Sequence, residues 1–380
     1  MKTKKLILAL SLIAVASSCR KELQIVPPTD TPVTSGTFGN VTGFYLLNEG
    51  NMGSNKSTLD FFDYTTGIYT KNIFAATNPF VARELGDVGN DLQIYGKKLY
   101  AVINCSNLVE VMDSRDAKHI AQISIPNCRY ISFDNGYAYV SSYAGPVEMD
   151  PNYRKGYVAK IDTATLQIVD ECIVGYQPEE MVIHNGKLYV ANSGGYRVPD
   201  YDHTVSVVDL ASFQVIKTID VAINLHRMEK DRFGNIYVSS RGDGYDEHPR
   251  TLVISSTSDE VIDDLELLPV SDMAMCGDSL YVVCSQWNNF TNSNEISYAI
   301  YDVVRREIVS HNLITDGTDE QIRIPYGIAV NPETREFLIT DAKDYVTPGT
   351  LYCFSKDGVK KWQVTTGDIP AHIAFVFEEE

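Results

Sequence analysis

Tyrosine, tryptophan, asparagine and arginine recur in the segments between short apolar runs of this 380-residue chain. Tyr and Trp offer large, rigid contact areas with a polar tip, and Asn and Arg hydrogen-bond amides and carbonyls. Such segments suit a bulky, partly apolar ligand that carries many amides or hydroxyls, or a protein partner. The candidate ligand-binding residues are Asn51, Arg129, Tyr130, Tyr143, Tyr176, Tyr196, Tyr201, Asp202, His226, Arg227, Arg241, Tyr245, Trp287, Asn288, Tyr326 and Tyr345. A purely structural explanation stays open, because turns also need Gly, Asn and Asp and tyrosine is abundant throughout the chain.

The elements that must position these residues form a repeat. One copy, Leu188-Tyr189-Val190, lies between the turn residues Asn185-Gly186 and Ser193-Gly194-Gly195. Runs of β-branched and aromatic residues between such turns predict antiparallel strands. The matching positions are 45, 100, 139, 189, 237, 281 and about 338, which lie 39 to 57 residues apart. This period, with four strands in each copy, predicts an all-β seven-bladed propeller. In such a propeller, the loops that join the second strand to the third lie on the same face as the loops that join one blade to the next.

The segment Leu188-Tyr189-Val190-Ala191-Asn192-Ser193-Gly194, followed by Val205-Ser206-Val207-Val208-Asp209, resembles the YVTN repeat of surface-layer-type propellers. The resemblance covers residues 43–380 and implies the fold, whereas function depends on the site that the fold carries. The first copy begins at Gly43 without an inner strand, and the C-terminal Pro370–Phe377 segment has an inner strand with nothing after it. We therefore expect the last strand to complete the first blade, so that no sheet edge stays open within the ring.

Catalytic motifs are absent from the sequence, which has no G-x-S-x-G, H-E-x-x-H, P-loop or G-x-G-x-x-G pattern. Glu49, Asn192 and Asp341 end second strands and could converge on a metal, as in sugar-lactonase-type propellers, although such residues also serve ordinary turns. His226 or His372 could ligate a metal, but a lone loop histidine is more often simply hydrogen-bonded. The favoured prediction is a binding protein with no catalytic residue, no metal and no cofactor.

The N-terminus has the pattern of an export signal. Lys2, Lys4 and Lys5 precede an apolar core at 6–16, and Ala16-Ser17-Ser18-Cys19 resembles a bacterial lipobox. This predicts a signal peptide over 1–18, a lipidated Cys19 with a flexible proline-containing tether over 19–42, and a propeller over 43–380. Arg20 in place of Asp favours the outer membrane, with display at the cell surface.

Charge and cysteines exclude some classes of protein. The formal charge of −18 becomes −21 without residues 1–18, which hold three lysines and no acid. Such a chain is repelled by phosphates, which argues against nucleic acids and anionic lipid headgroups as partners. The remaining cysteines form no C-x-x-C pair and are predicted to be buried thiols, with a Cys276–Cys284 disulfide left open.

A lipobox, a YVTN-type propeller and an aromatic, amide-rich loop face together resemble the BtuG surface lipoproteins of gut Gram-negative bacteria. This resemblance covers the mature chain. It implies capture of a corrinoid such as cobalamin (vitamin B12) and transfer to a TonB-dependent, BtuB-like outer-membrane transporter. The corrinoid would be a transported ligand rather than a cofactor. The residues leave open another ligand such as a glycan, a protein partner, or a metal-dependent lactonase-like hydrolase.

Overall fold

The computed structural model describes residues 28–33, 39–81, 84–146, 149, 152–288 and 292–378, apart from the side chain of Asn288. The predicted signal peptide and Cys19 lie outside this part of the chain. Within it, strands are arranged in seven antiparallel sheets, as the repeat predicts.

Six of the sheets hold four strands that are consecutive in the chain, and the sheet of the first blade holds five. The first blades contain β1 (Thr29–Pro32), β2 (Val41–Asn48), β3 (Thr58–Asp63), β4 (Ile68–Lys71), β5 (Gly89–Tyr95), β6 (Lys98–Ile103), β7 (Leu108–Asp113), β8 (His119–Ser124), β9 (Cys128–Asp134), β10 (Tyr137–Ser142), β11 (Tyr157–Asp162) and β12 (Ile168–Ile173). The middle blades contain β13 (Pro178–His184), β14 (Lys187–Asn192), β15 (Thr204–Asp209), β16 (Gln214–Asp220), β17 (Leu225–Lys230), β18 (Asn235–Ser240), β19 (Arg250–Ser255) and β20 (Glu260–Leu265). The last blades contain β21 (Asp272–Cys276), β22 (Ser279–Asn288), β23 (Ser293–Asp302), β24 (Glu307–Ser310), β25 (Pro325–Val330), β26 (Phe337–Asp341), β27 (Pro348–Phe354), β28 (Lys360–Asp368) and β29 (Pro370–Phe377). Helix α1 (Ile73–Thr77) follows the first blade, and a 3₁₀ turn (Thr318–Gln321) precedes the last.

The last strand closes the ring. β29 pairs antiparallel with β2, with Phe375 opposite Phe44 and Ile373 opposite Leu46. The sheet of the first blade therefore runs β1-β4-β3-β2-β29, and the predicted closure is confirmed. Residues Thr29–Pro32, inside the segment predicted as a tether, add a fifth, outermost strand to this blade through pairing with Ile68–Lys71.

The repeat positions hold the blades together. Tyr45, Tyr100 and Tyr189 are fully buried in second strands, as is the apolar Leu338 in the last blade. Apolar side chains of neighbouring blades pack between the sheets: one cluster joins Tyr189 and Val207 of the fourth blade to Val238 of the fifth. The core is thus distributed between blades, which leaves the axis free for polar side chains.

The inner strands begin with an irregularity that matters for the site. In six of them, all except β21, the pairing register shifts near the start of the strand. The inner strand there has one residue more than the stretch of the second strand that pairs with it. Such β-bulges re-aim side chains. The freed amides are satisfied from the second strand: Ser141 accepts from Tyr130 N–H, Ser239 from Arg227 N–H, and Thr340 from Gly327 N–H.

The cysteines Cys105, Cys128, Cys172, Cys276, Cys284 and Cys353 are free thiols, and all but the half-buried Cys105 are buried. The prediction of buried thiols is confirmed, and Cys276 and Cys284 are not bonded to each other. In the described part of the chain, no helix has the length and apolarity needed to cross a bilayer.

Candidate functional site

A cavity of about 460 Å³ opens at the end of the axis where inner strands begin and second strands end. We call it the mouth. Its walls include Glu49, Val88, Asn90, Arg129, Tyr130, His226, Arg227, Arg241, Pro249, Ser271, Gln286, Trp287, Pro325, Tyr326 and Tyr345. Eight of the predicted site residues line it: Arg129, Tyr130, His226, Arg227, Arg241, Trp287, Tyr326 and Tyr345. The predicted convergence of inter-blade loops and second-to-third-strand loops on one face is confirmed.

One wall of the mouth is organised around a buried carboxylate, Glu179. Arg129 donates to it through Nε and Nη2 at 3.1 and 3.0 Å, and Arg241 donates through Nη2 at 3.2 Å. Tyr143 donates its hydroxyl to the same carboxylate, and the Arg129 guanidinium carbon lies 4.8 Å from the centre of the Tyr143 ring. Burial alone would raise the pKa of Glu179, but the two arginines outweigh burial and hold this pKa below its usual value. Glu179 is therefore a permanent anion that fixes both guanidinium groups.

A hydrogen-bonded chain runs beside this cluster. Arg227, which is buried, donates Nη1–H to the Tyr130 hydroxyl at 3.1 Å, and that oxygen lies 3.1 Å from His226 Nε2. The Arg227 Nε is 3.1 Å from an Asp272 oxygen. Burial, together with the positive charges of Arg241 and Arg227, holds the pKa of His226 well below its usual value, so the imidazole is neutral at pH 7.

The opposite wall is aromatic. Tyr326 donates its hydroxyl to Glu49 at 2.9 Å, and its ring meets that of Tyr345 edge-on at 5.9 Å. Asn51 donates its side-chain amide to the Tyr345 carbonyl, which ties the first and last blades together at this wall. Trp287 completes the wall, with 52% of its surface exposed.

The remaining predicted residues are split between surface and interior. Tyr176, Tyr196 and Tyr201 are half-buried over the fourth blade, where the Arg197 guanidinium lies 3.8 Å from the Tyr176 ring. Tyr245 is 80% exposed. Tyr143 lies buried beneath the mouth, and Asp202 is buried because its carboxylate accepts from the backbone of Tyr176 and Thr204. These two residues support the loops rather than line a surface. The side chain of Asn288 lies outside the described residues.

Carboxylates line the tunnel below the mouth, in a second cavity of about 210 Å³. Asp91, Glu180 and Asp272 each accept an amide of the next inner strand, from Ile131 at 2.9 Å, Met228 at 2.7 Å and Ile328 at 2.9 Å. These three hydrogen bonds therefore connect the inner strands of neighbouring blades. Burial raises the pKa of Glu180 to about 8 and that of Glu229, on the same tunnel, to about 7.

The residues considered for a lactonase-like metal site have structural partners. Asn192 donates to the hydroxyls of Thr204 and Ser206, and Asp341 accepts the amides of Ile324 and Lys343. Glu49 accepts a hydrogen bond from the Tyr326 hydroxyl. Among the described residues, no group of three or more His, Cys, Asp or Glu side chains is placed to hold a metal ion.

Glu179, Glu180, Asp91 and Asp272 are central to this end of the molecule, and sequence reasoning did not select them. Asp91, Glu180 and Asp272 stand directly before an apolar residue near the start of an inner strand, and Glu179 stands one position earlier, in Asn90-Asp91-Leu92, Glu179-Glu180-Met181 and Ser271-Asp272-Met273. An acid at that point of an otherwise apolar strand was the available signal. A search of the inner strands for apolar positions alone does not detect this acidic residue.

Exposed apolar side chains surround the mouth. They come from the loops of this face and form what we call the apolar rim: Met52, Phe80, Met149, Val198, Tyr245, Trp287 and Val346. Phe80 is 99% exposed. Other exposed apolar side chains lie on the outermost strands, among them Ile173 and Ile216, so the rim is a candidate interaction surface because of its position around the mouth.

The fold and the site together define a seven-bladed β-propeller with a polar, arginine-containing mouth at one end of its axis. Residues 42–375 match the family described as "Domain of unknown function (DUF5074)", and the chain belongs to this family. No curated protein sequence matches the chain significantly.

Solved structures resemble the chain in fold at low sequence identity. A hypothetical selenium-binding protein from Sulfolobus tokodaii has a TM-score of 0.62 at 10% identity, over 88% of this chain and 93% of its own. A quinonprotein alcohol dehydrogenase-like protein from Bacteroides thetaiotaomicron has a TM-score of 0.58 at 15% identity, over 89% and 79%. The hydrazine synthase of Kuenenia stuttgartiensis has a TM-score of 0.54 at 14% identity, over 71% and 77%. At these identities the likeness concerns the fold alone.

Proposed function

We propose that this protein is an outer-membrane lipoprotein, anchored through Cys19 at the cell surface, that captures a corrinoid at its mouth and passes it to a TonB-dependent transporter. The observation that carries the proposal is the combination of a donor-rich mouth with an apolar rim around it. The resemblance to BtuG-type lipoproteins directs attention to corrinoids. No catalytic step is part of the proposal.

The mouth matches the chemistry of a corrinoid. Its volume of about 460 Å³ lies within the usual range for small-molecule sites, about 300–1,000 Å³. A whole corrinoid is larger, so only one edge would enter while the ring rests on aromatic tips such as Trp287 and Tyr245. The peripheral amides of the ring would then meet the hydrogen-bonding groups of Arg241, Gln286 and Asn90.

The direction of β1 supports transfer to a membrane partner. Thr29 pairs with Lys71, whose side chain donates to Thr366 near the mouth end of β28. Thr29, at the start of β1, therefore lies at the mouth end of the propeller. Ten residue steps separate Cys19 from Thr29, a reach of at most about 35 Å. A lipid on Cys19 would hold the apolar rim close to the membrane, where the net negative charge of the protein favours a membrane protein over anionic headgroups as the partner.

The test is calorimetric titration of the purified protein with cyanocobalamin. We expect one-to-one binding that Trp287→Ala weakens by about tenfold, which equals about 1.4 kcal/mol, because the indole supplies exposed aromatic area at the mouth. Phe233→Ala is the matched control, since Phe233 is 51% exposed in the β17–β18 turn at the opposite end of the propeller. Absence of heat and of any melting-temperature shift with excess cyanocobalamin would refute corrinoid capture and lead to a screen of glycans and protein partners.

A further inference from the structure

The two walls of the mouth differ in charge. On the wall of the third to fifth blades, Arg129 and Arg241 share the single carboxylate of Glu179, and Arg227 is matched by Asp272. Glu180 adds little negative charge at pH 7, because its pKa is raised to about 8. Among the described side chains of this wall, three arginines are thus paired with two ionised carboxylates, although the whole chain has a formal charge of −18. The acid that lines the mouth, Glu49, belongs to the opposite wall.

The excess charge is accessible at Arg241. Arg129 and Arg227 have side chains that are 15% and 6% exposed and directed into the protein, whereas 39% of the Arg241 side chain is exposed. The one hydrogen bond that Arg241 makes to a described side chain uses Nη2, toward Glu179. Within the described part of the chain, its Nη1 and Nε groups have no hydrogen-bond partner, and the side chain lines the mouth. A guanidinium with free N–H groups at a cavity wall is suited to a carboxylate or a phosphate.

The hydrogen-bonded chain beside Arg241 favours one tautomer of His226. Arg227 can only donate, so the Tyr130 oxygen accepts from it. Among the described residues the other partner of the Tyr130 hydroxyl is His226 Nε2, and we place the Tyr130 proton on this contact because the hydroxyl then both accepts and donates. Because the imidazole is neutral, its own proton then belongs on Nδ1. His226 thus presents an N–H donor in the mouth, next to Arg241.

We propose that Arg241 and His226 form an anion-binding subsite in the mouth, which takes an acidic group of the ligand, either a phosphodiester or a carboxylate. The subsite has donors and no acceptor, so it selects for an acceptor-rich group. The aromatic wall with Trp287, Tyr326 and Tyr345 lies across the cavity and accommodates the apolar part of the same ligand. This inference rests on the ligand-binding role proposed for the mouth, but it does not require the ligand to be a corrinoid.

The first experiment follows the ¹⁵N resonances of the histidine side chains in the full chain. We expect His226 to show a protonated Nδ1 and an unprotonated Nε2, and to shift when dimethyl phosphate or benzoate is added. Acetamide, which is neutral and offers a carbonyl, is the control and should cause no comparable shift. A response to one anion alone identifies the source: dimethyl phosphate for a phosphodiester, benzoate for a carboxylate.

The second experiment compares cyanocobalamin with dicyanocobinamide, which lacks the phosphodiester. Arg241→Gln should weaken cyanocobalamin binding at least about tenfold and leave dicyanocobinamide binding unchanged, while Arg241→Lys should retain part of the affinity. Arg232→Gln is the matched control, because Arg232 also pairs with a carboxylate, Asp278, but lies in the β17–β18 turn at the far end.

The outcomes separate the two proposals. If cyanocobalamin fails to bind the wild-type protein but an anion shifts His226, corrinoid capture is refuted and the anion subsite stands. If no anion shifts His226 and Arg241→Gln has no selective effect on cyanocobalamin, the anion subsite is wrong. An equal response to acetamide, or equal weakening of both corrinoids, would also overturn it.

Discussion

Replacement of Glu180 by glutamine should stabilise the protein, and more so as the pH rises. Glu180 faces the tunnel with Arg227, Asp272 and Asp91 nearby, and one of its oxygens accepts the Met228 amide at 2.7 Å. Burial is the main cause of its raised pKa, and the like charges of Asp272 and Asp91 add to it. Glutamine can still accept the Met228 amide but has no charge to bury.

The magnitude follows from the pKa. The folded-state pKa of about 8 lies above the value of 4.5 that describes an unperturbed glutamate side chain. The protonated carboxyl therefore contributes its full stability below pH 4.5, and this contribution is lost as the pH rises through 8. At 1.36 kcal/mol per unit, ionisation in the folded state costs about 4–5 kcal/mol. Because a quarter of the side chain is exposed to the tunnel, solvent reduces this cost, and we expect about 2 kcal/mol.

The assay is urea unfolding of the wild-type and Glu180→Gln proteins at pH 5 and pH 9. The difference in unfolding free energy should be small at pH 5 and should reach about 2 kcal/mol in favour of the variant at pH 9. Glu260→Gln, on the exposed edge strand β20, controls for the change in net charge. A difference that does not depend on pH, or a variant less stable than the wild type at pH 9, would refute the reasoning.

Three further predictions concern the stability of the fold. Glu179→Gln should destabilise the protein by about 3 kcal/mol in urea unfolding at pH 7, because Arg129 loses a buried counter-ion, whereas Glu171→Gln on the exposed strand β12 should have little effect. Since the pKa of Glu179 is lowered, its contribution is present above pH 4.5 and is lost as the pH falls through the folded-state value, so the two proteins should converge in acid. Deletion of residues 370–380 should give insoluble or unfolded protein because β29 is the inner strand of the first blade, and a soluble truncation that melts cooperatively would contradict the closure. Deletion through residue 32, which among the described residues removes Pro28 and the exposed strand β1 but keeps Val33 on the core, should leave the melting temperature within a few degrees of that of the full chain.

The sequence predicts the blades well because burial imposes a strict pattern on second strands. Tyr100, Tyr189 and Tyr237 recur in one register since each fills the same space between neighbouring sheets. The loops obey no such pattern. Tyr143 and Asp202 adjoin β10 and β15 and are buried, whereas Tyr245 lies farther along its loop and is exposed. Trp287, predicted in a loop, is exposed near the end of β22, because this strand continues to Asn288 in an extended hairpin with β23. Loop composition predicts the face that carries the site but does not predict which side chains turn inward.

The acids of the axis escape prediction for a different reason. The role of Glu179 depends on its hydrogen bonds to two arginines that are distant in the sequence. Arg129 lies 50 residues earlier, and Arg241 lies 62 residues later. The three meet because the ring brings the start of β13 beside the start of β9 and the end of β18. Without the closed ring, Pro178-Glu179-Glu180 is simply a polar strand start. Pairings between blades therefore need the three-dimensional structure.

The bulges explain how one repeat can build different sites. Where an inner strand bulges, two consecutive side chains leave the usual alternation, as with Arg129 and Tyr130 or His226 and Arg227. Arg129 and His226, at first positions, line the mouth, Glu180 lines the tunnel, and Arg227 lines both cavities. None of these four side chains packs in the apolar clusters between the blades, so the packing of the core does not determine their identity. The chemistry of the mouth is thus determined mainly by two residues in each blade and by the loop tips above them. A comparison of propellers in this family for ligand preference should begin at the positions of His226 and Arg241 rather than at the repeat.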